Sequence, residues 1–156
     1  MRLLRTVFCL VVLCALSVLP GYALSQEPAR IEPVTVVTAK QAQIFDTEVA
    51  DTDDLRARGL MFRHKLPEDR AMLFDFGDPR PAAMWMKNTY IPLDMLFIRP
   101  DGKIAYIAEN TVPKSLDAIG VSEPVLAVLE LAGGVTKKHG IRAGDSVYHR
   151  LFRNAE

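Results

Sequence analysis

The central stretch of the chain reads Met84-Trp85-Met86-Lys87-Asn88-Thr89-Tyr90-Ile91-Pro92-Leu93-Asp94-Met95-Leu96-Phe97-Ile98. It contains the only tryptophan of the sequence, a compact polar triplet, and an aspartate at the start of an apolar run. Lysine, asparagine and aspartate are rarely buried without a partner, so among apolar neighbours they must be paired, hydrogen-bonded or exposed to a ligand. This stretch is therefore the main candidate site.

Residues 1–23 have the pattern of a secretory signal peptide. Arg2 and Arg5 precede an apolar run at residues 7–19, and small residues at positions 20–23 suit cleavage after Ala23. The run is too short to be a good membrane span. We expect an exported protein, periplasmic or secreted, with a polar stem at residues 24–32 and one domain at residues 33–153.

Cysteine content and charge narrow the possible functions. Cys9 and Cys14 both lie in the predicted leader, so the mature chain would have no thiol, disulfide or cysteine-based metal site. The sequence has 19 basic and 19 acidic side chains, and the leader contains two of the basic ones, Arg2 and Arg5. A mature balance of 17 against 19 gives no overall attraction to nucleic acid or to an anionic membrane.

Apolar alternation and β-branched residues predict a mostly β domain. The predicted strands are 33–38, 44–50, 71–76, 83–88, 93–99, 104–108, 125–131 and 146–152, and the first two are expected to be antiparallel neighbours. The strand at 125–131 is almost entirely apolar, which predicts a central strand covered on both faces, with Glu130 as the exception.

Turn residues divide these strands. The glycine and prolines of residues 77–81 are expected to end the strand before them, residues 89–92 form a bend, and residues 100–103 form a hairpin turn. Residues 109–124 have little periodicity and predict a long loop. Two short helices are expected at the rim, one capped by Thr52 and ended by Gly59, the other at residues 133–139 and ended by Gly140.

Five separate motifs together resemble one family. They are Arg58-Gly59-Leu60-Met61-x-Arg63, Met72-x-Phe74-x-Phe76, Met84-Trp85-Met86-Lys87-Asn88-Thr89-x-x-Pro92-Leu93-Asp94, Leu129-Glu130-Leu131-x-Gly133 and Gly140-x-x-x-Gly144-Asp145. The chain resembles the domain-of-unknown-function 192 family over about residues 34 to 151. The resemblance implies a compact, antiparallel, barrel-like β domain of bacteria and archaea, often behind a signal peptide. It implies no particular reaction or ligand.

The polar residues of the central stretch have two interpretations. In the functional one, Trp85 walls a cleft floored by Lys87, Asn88 and Asp94, with Arg63 and Glu130 as outer members. In the structural one, Lys87 pairs with Asp94, and Asn88 fixes the bend before Pro92 through local backbone hydrogen bonds.

The methionines suggest a second kind of site. Met84 and Met86 share a strand face, and thioethers are soft ligands suited to Cu(I). Methionine is also common core filler, and no histidine stands at matching spacing, so the core interpretation is preferred.

Signals of catalysis are few. His64, His139 and His149 fit no metalloprotease or triad motif, and Asp94 with Glu130 would be catalytic only as a carboxylate pair in a hydrolase. We therefore expect a non-catalytic binding or accessory module for a small polar or glycan ligand or a cell-envelope component. No cofactor or metal is expected, nor nucleic acid or a stable membrane span after cleavage of the leader. The competing hypothesis, a hydrolase, requires that Asp94 and Glu130 face a common cleft.

Overall fold

Seven strands and two short helices make up the domain in a computed structural model that describes residues 28–154. The predicted leader at residues 1–23 and the first part of the predicted stem lie outside the described residues. The strands are β1 (Arg30–Val37), β2 (Ala42–Ala50), β3 (Arg70–Met84), β4 (Leu93–Ile98), β5 (Ile104–Ala108), β6 (Ile119–Ala132) and β7 (Ser146–Tyr148), and the helices are α1 (Asp53–Arg58) and α2 (Val135–His139).

The strands form one sheet in the order β5-β4-β6-β3-β2-β1-β7. Its two edges meet where β7 approaches the β4–β5 hairpin. Val147 N donates to Gly102 O at 2.7 Å, Ile104 N donates to Asp145 O at 3.0 Å, and Lys103 forms a single bridge with Ser146. The predicted mostly β, barrel-like domain with two short helices is confirmed, because these contacts nearly close the sheet.

One strand pair departs from the antiparallel pattern, since β2 runs parallel to β3. Parallel neighbours need a long crossover, and residues 51–69 supply it. Helix α1 lies in this crossover and has the predicted boundaries. Thr52 Oγ1 accepts a hydrogen bond from Leu55 N at 3.3 Å, and Gly59, with φ 48°, ends the helix.

The predicted break at residues 77–81 is wrong, because β3 continues through it to Met84. The register with β6 shifts between Asp75 and Arg80 and again before Ala82, so the segment is a bulge. Pro79 and Pro81, which lack an N–H, fall between paired positions. The second half of β3 pairs with the first part of β6, which begins at Ile119. The predicted loop at 109–124 is therefore shorter and spans residues 109–118.

Buried apolar side chains cover both faces of the central strands. One cluster fills the barrel and includes Val34, Phe45, Leu73, Leu96, Leu129 and Phe152. A second lies on the outer face of β3, β4 and β6 and includes Leu60, Met72, Phe74, Met86, Met95 and Val128. Strand β6 contributes to both clusters, as its nearly all-apolar sequence predicts. Neither helix between residues 28 and 154 has the length and hydropathy needed to cross a bilayer.

The predicted closing strand at 146–152 is shorter than expected. Strand β7 ends at Tyr148 and a 3₁₀ turn, Arg150–Phe152, follows. Glu32 of β1 holds this turn by accepting hydrogen bonds from His149 Nε2 at 3.0 Å and from Arg150 Nε at 2.6 Å. The Arg150 hydrogen bond, opposed by desolvation, lowers the pKa of Glu32 to about 2, whereas burial lowers the pKa of His149.

We predict that the Glu32 contact is lost in acid. Because the pKa of Glu32 is lower in the folded than in the unfolded chain, the unfolded chain takes up this proton first, and stability falls as the pH drops from 4.5 toward about 2. Urea unfolding at about pH 5 and pH 3 should show a smaller acid loss for Glu32→Gln than for the wild type. Asp78→Asn, which alters an exposed carboxyl, is the control. Equal pH dependence in all three proteins would contradict the prediction.

Candidate functional site

Three connections adjoin one another beside the outer face of β3, β4 and β6: loop 59–69, turn 85–92 and loop 109–118. Backbone hydrogen bonds join them, from Phe62 N to Asn88 O at 2.9 Å, from Lys114 N to Thr89 O at 3.0 Å, and from Met86 N to Ser115 O at 3.1 Å. Lys87 and Asn88, which were predicted at the end of a strand, therefore lie in the turn together with Thr89. Asn88 has φ 55°, a left-handed conformation that asparagine tolerates better than most residues.

Trp85 and Lys87 are both on the surface of the turn. The indole of Trp85 is 50% exposed, and Lys87 Nζ lies 5.0 Å from the ring centroid. A cation at this distance from an indole face is a cation–π pair. Lys87 thus contacts the aromatic ring, and it forms no ion pair with Asp94. Asn88 contributes backbone contacts and directs its side-chain Nδ2 toward Met61 Sδ at 3.8 Å.

Asp94 is fully buried on β4, where its carboxylate accepts four hydrogen bonds. Oδ1 accepts from Asn110 N at 2.8 Å and Gly134 N at 3.1 Å, and Oδ2 accepts from Thr136 N at 2.8 Å and Thr136 Oγ1 at 2.7 Å. Gly134 is the N-cap residue of α2, and it has no side chain that could accept a hydrogen bond from the first N–H groups of the helix. Asp94 therefore caps α2 from a distant strand, and its oxygen atoms face protein donors.

Arg63 lies near the turn but is bound to another residue. Its guanidinium donates to both carboxylate oxygens of Glu48, from Nη1 at 2.5 Å and from Nη2 at 2.8 Å. This hydrogen bonding, opposed by partial burial, lowers the pKa of Glu48 and raises that of Arg63. The bidentate geometry fixes loop 59–69 against β2.

Glu130 differs from the other acidic candidates, because it is buried without a protein partner. Its side chain lies on β6 opposite Met72 and Met95 and is 4% exposed. No residue from 28 to 154 forms a hydrogen bond or ion pair with it. Burial raises the pKa of Glu130 to about 8, and the positive charge of Arg63 opposes this shift.

Glu130 lines a small cavity of about 40 Å³ that reaches the surface beside Trp85. The end of α1 forms one wall and Phe74 of β3 contributes to the base. The full lining consists of Arg56, Ala57, Arg58, Gly59, Leu60, Met61, Phe74, Met84, Trp85, Thr89 and Glu130. Because Trp85 is half exposed and Glu130 is buried, the cavity leads from solvent to an uncharged acid.

The two carboxyl groups considered for a hydrolase lie on opposite faces of the sheet. Glu130 pairs with Met95, and Asp94, the residue before Met95, points to the other face. They therefore do not share a cleft, which the hydrolase hypothesis requires.

The methionines lie mainly in the outer core. Met72, Met86 and Met95 are buried there, and Met86 Sδ lies 3.1 Å from Thr111 Oγ1. Within residues 28–154, no three histidine, cysteine, aspartate or glutamate side chains cluster as a metal site.

Several residues that hold the connections at the candidate site in place were not predicted from the sequence. Thr111 donates to Leu93 O and accepts from Leu93 N, which holds loop 109–118 against β4. Thr136 donates a hydrogen bond to Asp94, and Glu48 accepts one from Arg63. The role of Thr136 has a signal in the local sequence, because Thr136 lies in the first turn of a helix that begins after two glycines. Thr111 has none, since it lies in a loop without periodicity.

The protein is a nearly closed seven-stranded β domain in which Glu130 faces a cavity beside the half-exposed Trp85. The chain belongs to the domain-of-unknown-function 192 family, described as an uncharacterized ACR, whose model matches residues 34–149. The family resemblance of the five motifs is thereby confirmed.

Two crystal structures resemble this fold. A putative transcription regulator from Sinorhizobium meliloti is 44% identical with a TM-score of 0.78, and the match covers 81% of this chain and 98% of that one. A protein of unknown function from Novosphingobium aromaticivorans is 40% identical with a TM-score of 0.74, over 76% of this chain and 85% of that one. No curated protein matches the chain significantly.

Removing the carboxylate of Asp94 should destabilise the fold strongly. Asp94→Ala leaves three backbone N–H groups and the hydroxyl of Thr136 without their acceptor, which should cost about 3 kcal/mol or more of unfolding free energy. Thr136→Val, which removes only the hydroxyl donor, should cost about 1 kcal/mol. Urea unfolding measures both. A loss for Asp94→Ala no larger than that for Thr136→Val would contradict this prediction.

Replacing Glu130 should stabilise the fold in a pH-dependent way. Between pH 4.5 and about 8 the folded chain keeps the Glu130 proton that the unfolded chain releases, so the stability of the wild type falls as pH rises. Glu130→Gln removes this pH-dependent contribution to the free energy of unfolding. Its stability relative to the wild type should rise by up to about 1.4 kcal/mol per pH unit across this range.

Urea unfolding at several pH values, with Glu109→Gln as an exposed control, measures the effect. Parallel pH profiles for the wild type and Glu130→Gln would show that burial does not hold the Glu130 proton.

Proposed function

We propose that the domain is a non-catalytic binding module that takes the uncharged polar end of a small or glycan ligand into the cavity between Trp85 and Glu130. The observation that carries the proposal is the isolation of Glu130, which is buried yet has no hydrogen-bond partner among the described residues. No enclosed side-chain oxygen or nitrogen between residues 28 and 154 lacks a hydrogen-bond partner, so the carboxyl oxygens of Glu130 remain open to the cavity. A ligand group in the cavity would complete their hydrogen bonds.

The protonation of Glu130 selects an uncharged polar group. At neutral pH the acid is held in its protonated form, with one O–H donor and a carbonyl acceptor. A hydroxyl or an amide complements both. A ligand cation offers no acceptor for the O–H of Glu130, and a ligand carboxylate offers no donor for its carbonyl oxygen.

The volume of the cavity limits how much of the ligand enters it. About 40 Å³ accommodates only a few non-hydrogen atoms, since one water molecule occupies about 30 Å³ in the liquid. The remainder of the ligand would therefore lie outside, against Trp85. A largely apolar surface with a few convergent polar groups is usual for sites that bind small polar molecules. A sugar, with exocyclic hydroxyl or acetamido groups on an otherwise flat ring, fits this arrangement.

The proposal gives Asp94 and Arg63 supporting roles. Asp94 holds the start of β4 and the cap of α2, and Arg63 holds loop 59–69 through Glu48. Arg63 thereby fixes the loop that contributes Gly59 and Met61 to the cavity lining, and Asp94 fixes loop 109–118, which is hydrogen-bonded to turn 85–92. Trp85, Lys87, Asn88 and Glu130 would then be the residues nearest the ligand.

Thermal unfolding with a panel of neutral sugars, N-acetylated amino sugars and peptidoglycan fragments tests the proposal. A ligand that binds only the folded state stabilises it by about 2.7 kcal/mol at a hundred times its Kd, so a binder should raise Tm by several degrees. The rise should vanish in Glu130→Leu and Trp85→Ala. It should persist in Tyr148→Ala, which removes an exposed aromatic side chain from β7.

The variants also separate binding from folding. Glu130→Gln keeps a donor and an acceptor in the cavity and should retain part of the Tm increase. Duplex DNA belongs in the panel because the Sinorhizobium relative is described as a putative transcription regulator. No Tm increase with any sugar, or an equal increase in Glu130→Leu, would refute the proposed site.

A further inference from the structure

Large apolar side chains are exposed mainly on the three connections at the candidate site. Within the described part, nine large hydrophobic residues are exposed, and five of them lie on the three adjoining connections at the candidate site. The five residues, called here the loop face, are Phe62, Trp85, Tyr90, Val112 and Leu116. Val112 and Leu116 are 68% and 69% exposed, more than any other large hydrophobic residue described.

The loop face is one continuous surface. The three backbone hydrogen bonds described above join loop 59–69, turn 85–92 and loop 109–118. The rings of Phe62 and Tyr90 lie 6.1 Å apart, and Trp85 and Leu116 line a common cavity of about 300 Å³. Scattered apolar residues on a surface need no explanation, but a contiguous group marks a binding surface.

Lysines accompany the aromatic rings of the loop face. Lys87 Nζ lies over Trp85, and Lys114 Nζ lies 5.1 Å from the centroid of the Tyr90 ring. Neither lysine forms an ion pair with any residue from 28 to 154. The acids on the three connections are Glu68, which pairs with Lys138, the exposed Asp69 and Glu109, and Asp117, which accepts a hydrogen bond from Ser115.

We propose that the loop face docks onto an anionic membrane surface. Tryptophan, tyrosine and lysine are the residues that lie at the depth of lipid headgroups, where their apolar parts contact acyl chains and their polar ends stay in water. Phe62, Val112 and Leu116 would enter the boundary of the acyl region, and Lys87 and Lys114 would contact lipid phosphates.

The composition favours lipid over a protein partner. The cores of protein interfaces are depleted in lysine, and valine and leucine are under-represented among their energetic centres. Here the two most exposed apolar residues are a valine and a leucine, beside two lysines. The overall charge of the chain gives no attraction to a membrane, but a local group of unpaired lysines acts within a Debye length of about 8–10 Å.

Trp85 provides the test, because it is the only tryptophan of the chain. The full chain is mixed with vesicles of phosphatidylcholine alone or with phosphatidylglycerol, and with vesicles whose acyl chains are brominated. We expect anionic vesicles to shift Trp85 emission to shorter wavelength and brominated lipid to quench it. This readout reports contact of Trp85 with lipid, whatever the N-terminal segment does.

Substitutions identify the contacts. Val112→Ser with Leu116→Ser should raise the lipid concentration needed for half-maximal quenching at least tenfold, and Lys87→Gln or Lys114→Gln about fivefold each. Ile44→Ser, at a residue that is 58% exposed on β2, should leave it unchanged. All substituted residues are on the surface, so Tm should remain that of the wild type, which excludes loss of the fold as the cause.

Three results would overturn the proposal: Trp85 emission that anionic vesicles do not change, quenching that persists in the Val112 and Leu116 variant, or a photo-crosslinker at position 116 that captures protein and no lipid. The proposal does not rest on the ligand cavity. Glu130→Leu should abolish sugar binding and leave lipid quenching intact, so the two proposals fail independently.

Discussion

The carboxylate of Asp94 is the interaction on which the functional end of this barrel depends. Its two oxygens accept four hydrogen bonds from residues in two different connections, loop 109–118 and the first turn of α2. Helix α2 has glycine at its cap and no side-chain acceptor of its own there. A strand residue 40 positions earlier in the chain therefore satisfies its first N–H groups. One buried carboxyl group thus joins β4 to both connections and fixes the point at which turn 85–92 ends.

Local patterns in the sequence predicted most elements and the pairing of close neighbours, β1 with β2 and β4 with β5, but not the partners of β3 and β6. The alternation of apolar residues located the strands because the period of two is a property of each strand alone. The segment from Gly77 to Pro81 contains strong turn residues, yet β3 continues through it. Whether such residues end a strand or form a bulge depends on the opposite strand, and that strand, the first part of β6, has no apolar alternation of its own.

The candidate site was predictable as a location and less so as an arrangement. Trp85 and Glu130 stood out, one as the only tryptophan and the other as the only charge in an apolar strand, and both line the same cavity. Asp94 stood out equally, but its role is decided by donors that are distant in sequence. The separation of Asp94 from Glu130 follows from the pairing of β4 with β6, in which a shift of one residue would have placed both carboxyl groups on the same face.

The parallel pairing of β2 with β3 affects when the cavity and the loop face form during folding. The crossover that this pairing requires also forms one wall of the cavity, whereas the opposite side comes from β6, which inserts between β3 and β4. Contacts between segments so far apart in sequence form late, and folds dominated by them take on the order of milliseconds to seconds to fold. Neither the cavity nor the loop face exists in a chain that has not yet paired β6. A partly synthesised chain that ends before β6 would therefore lack both surfaces.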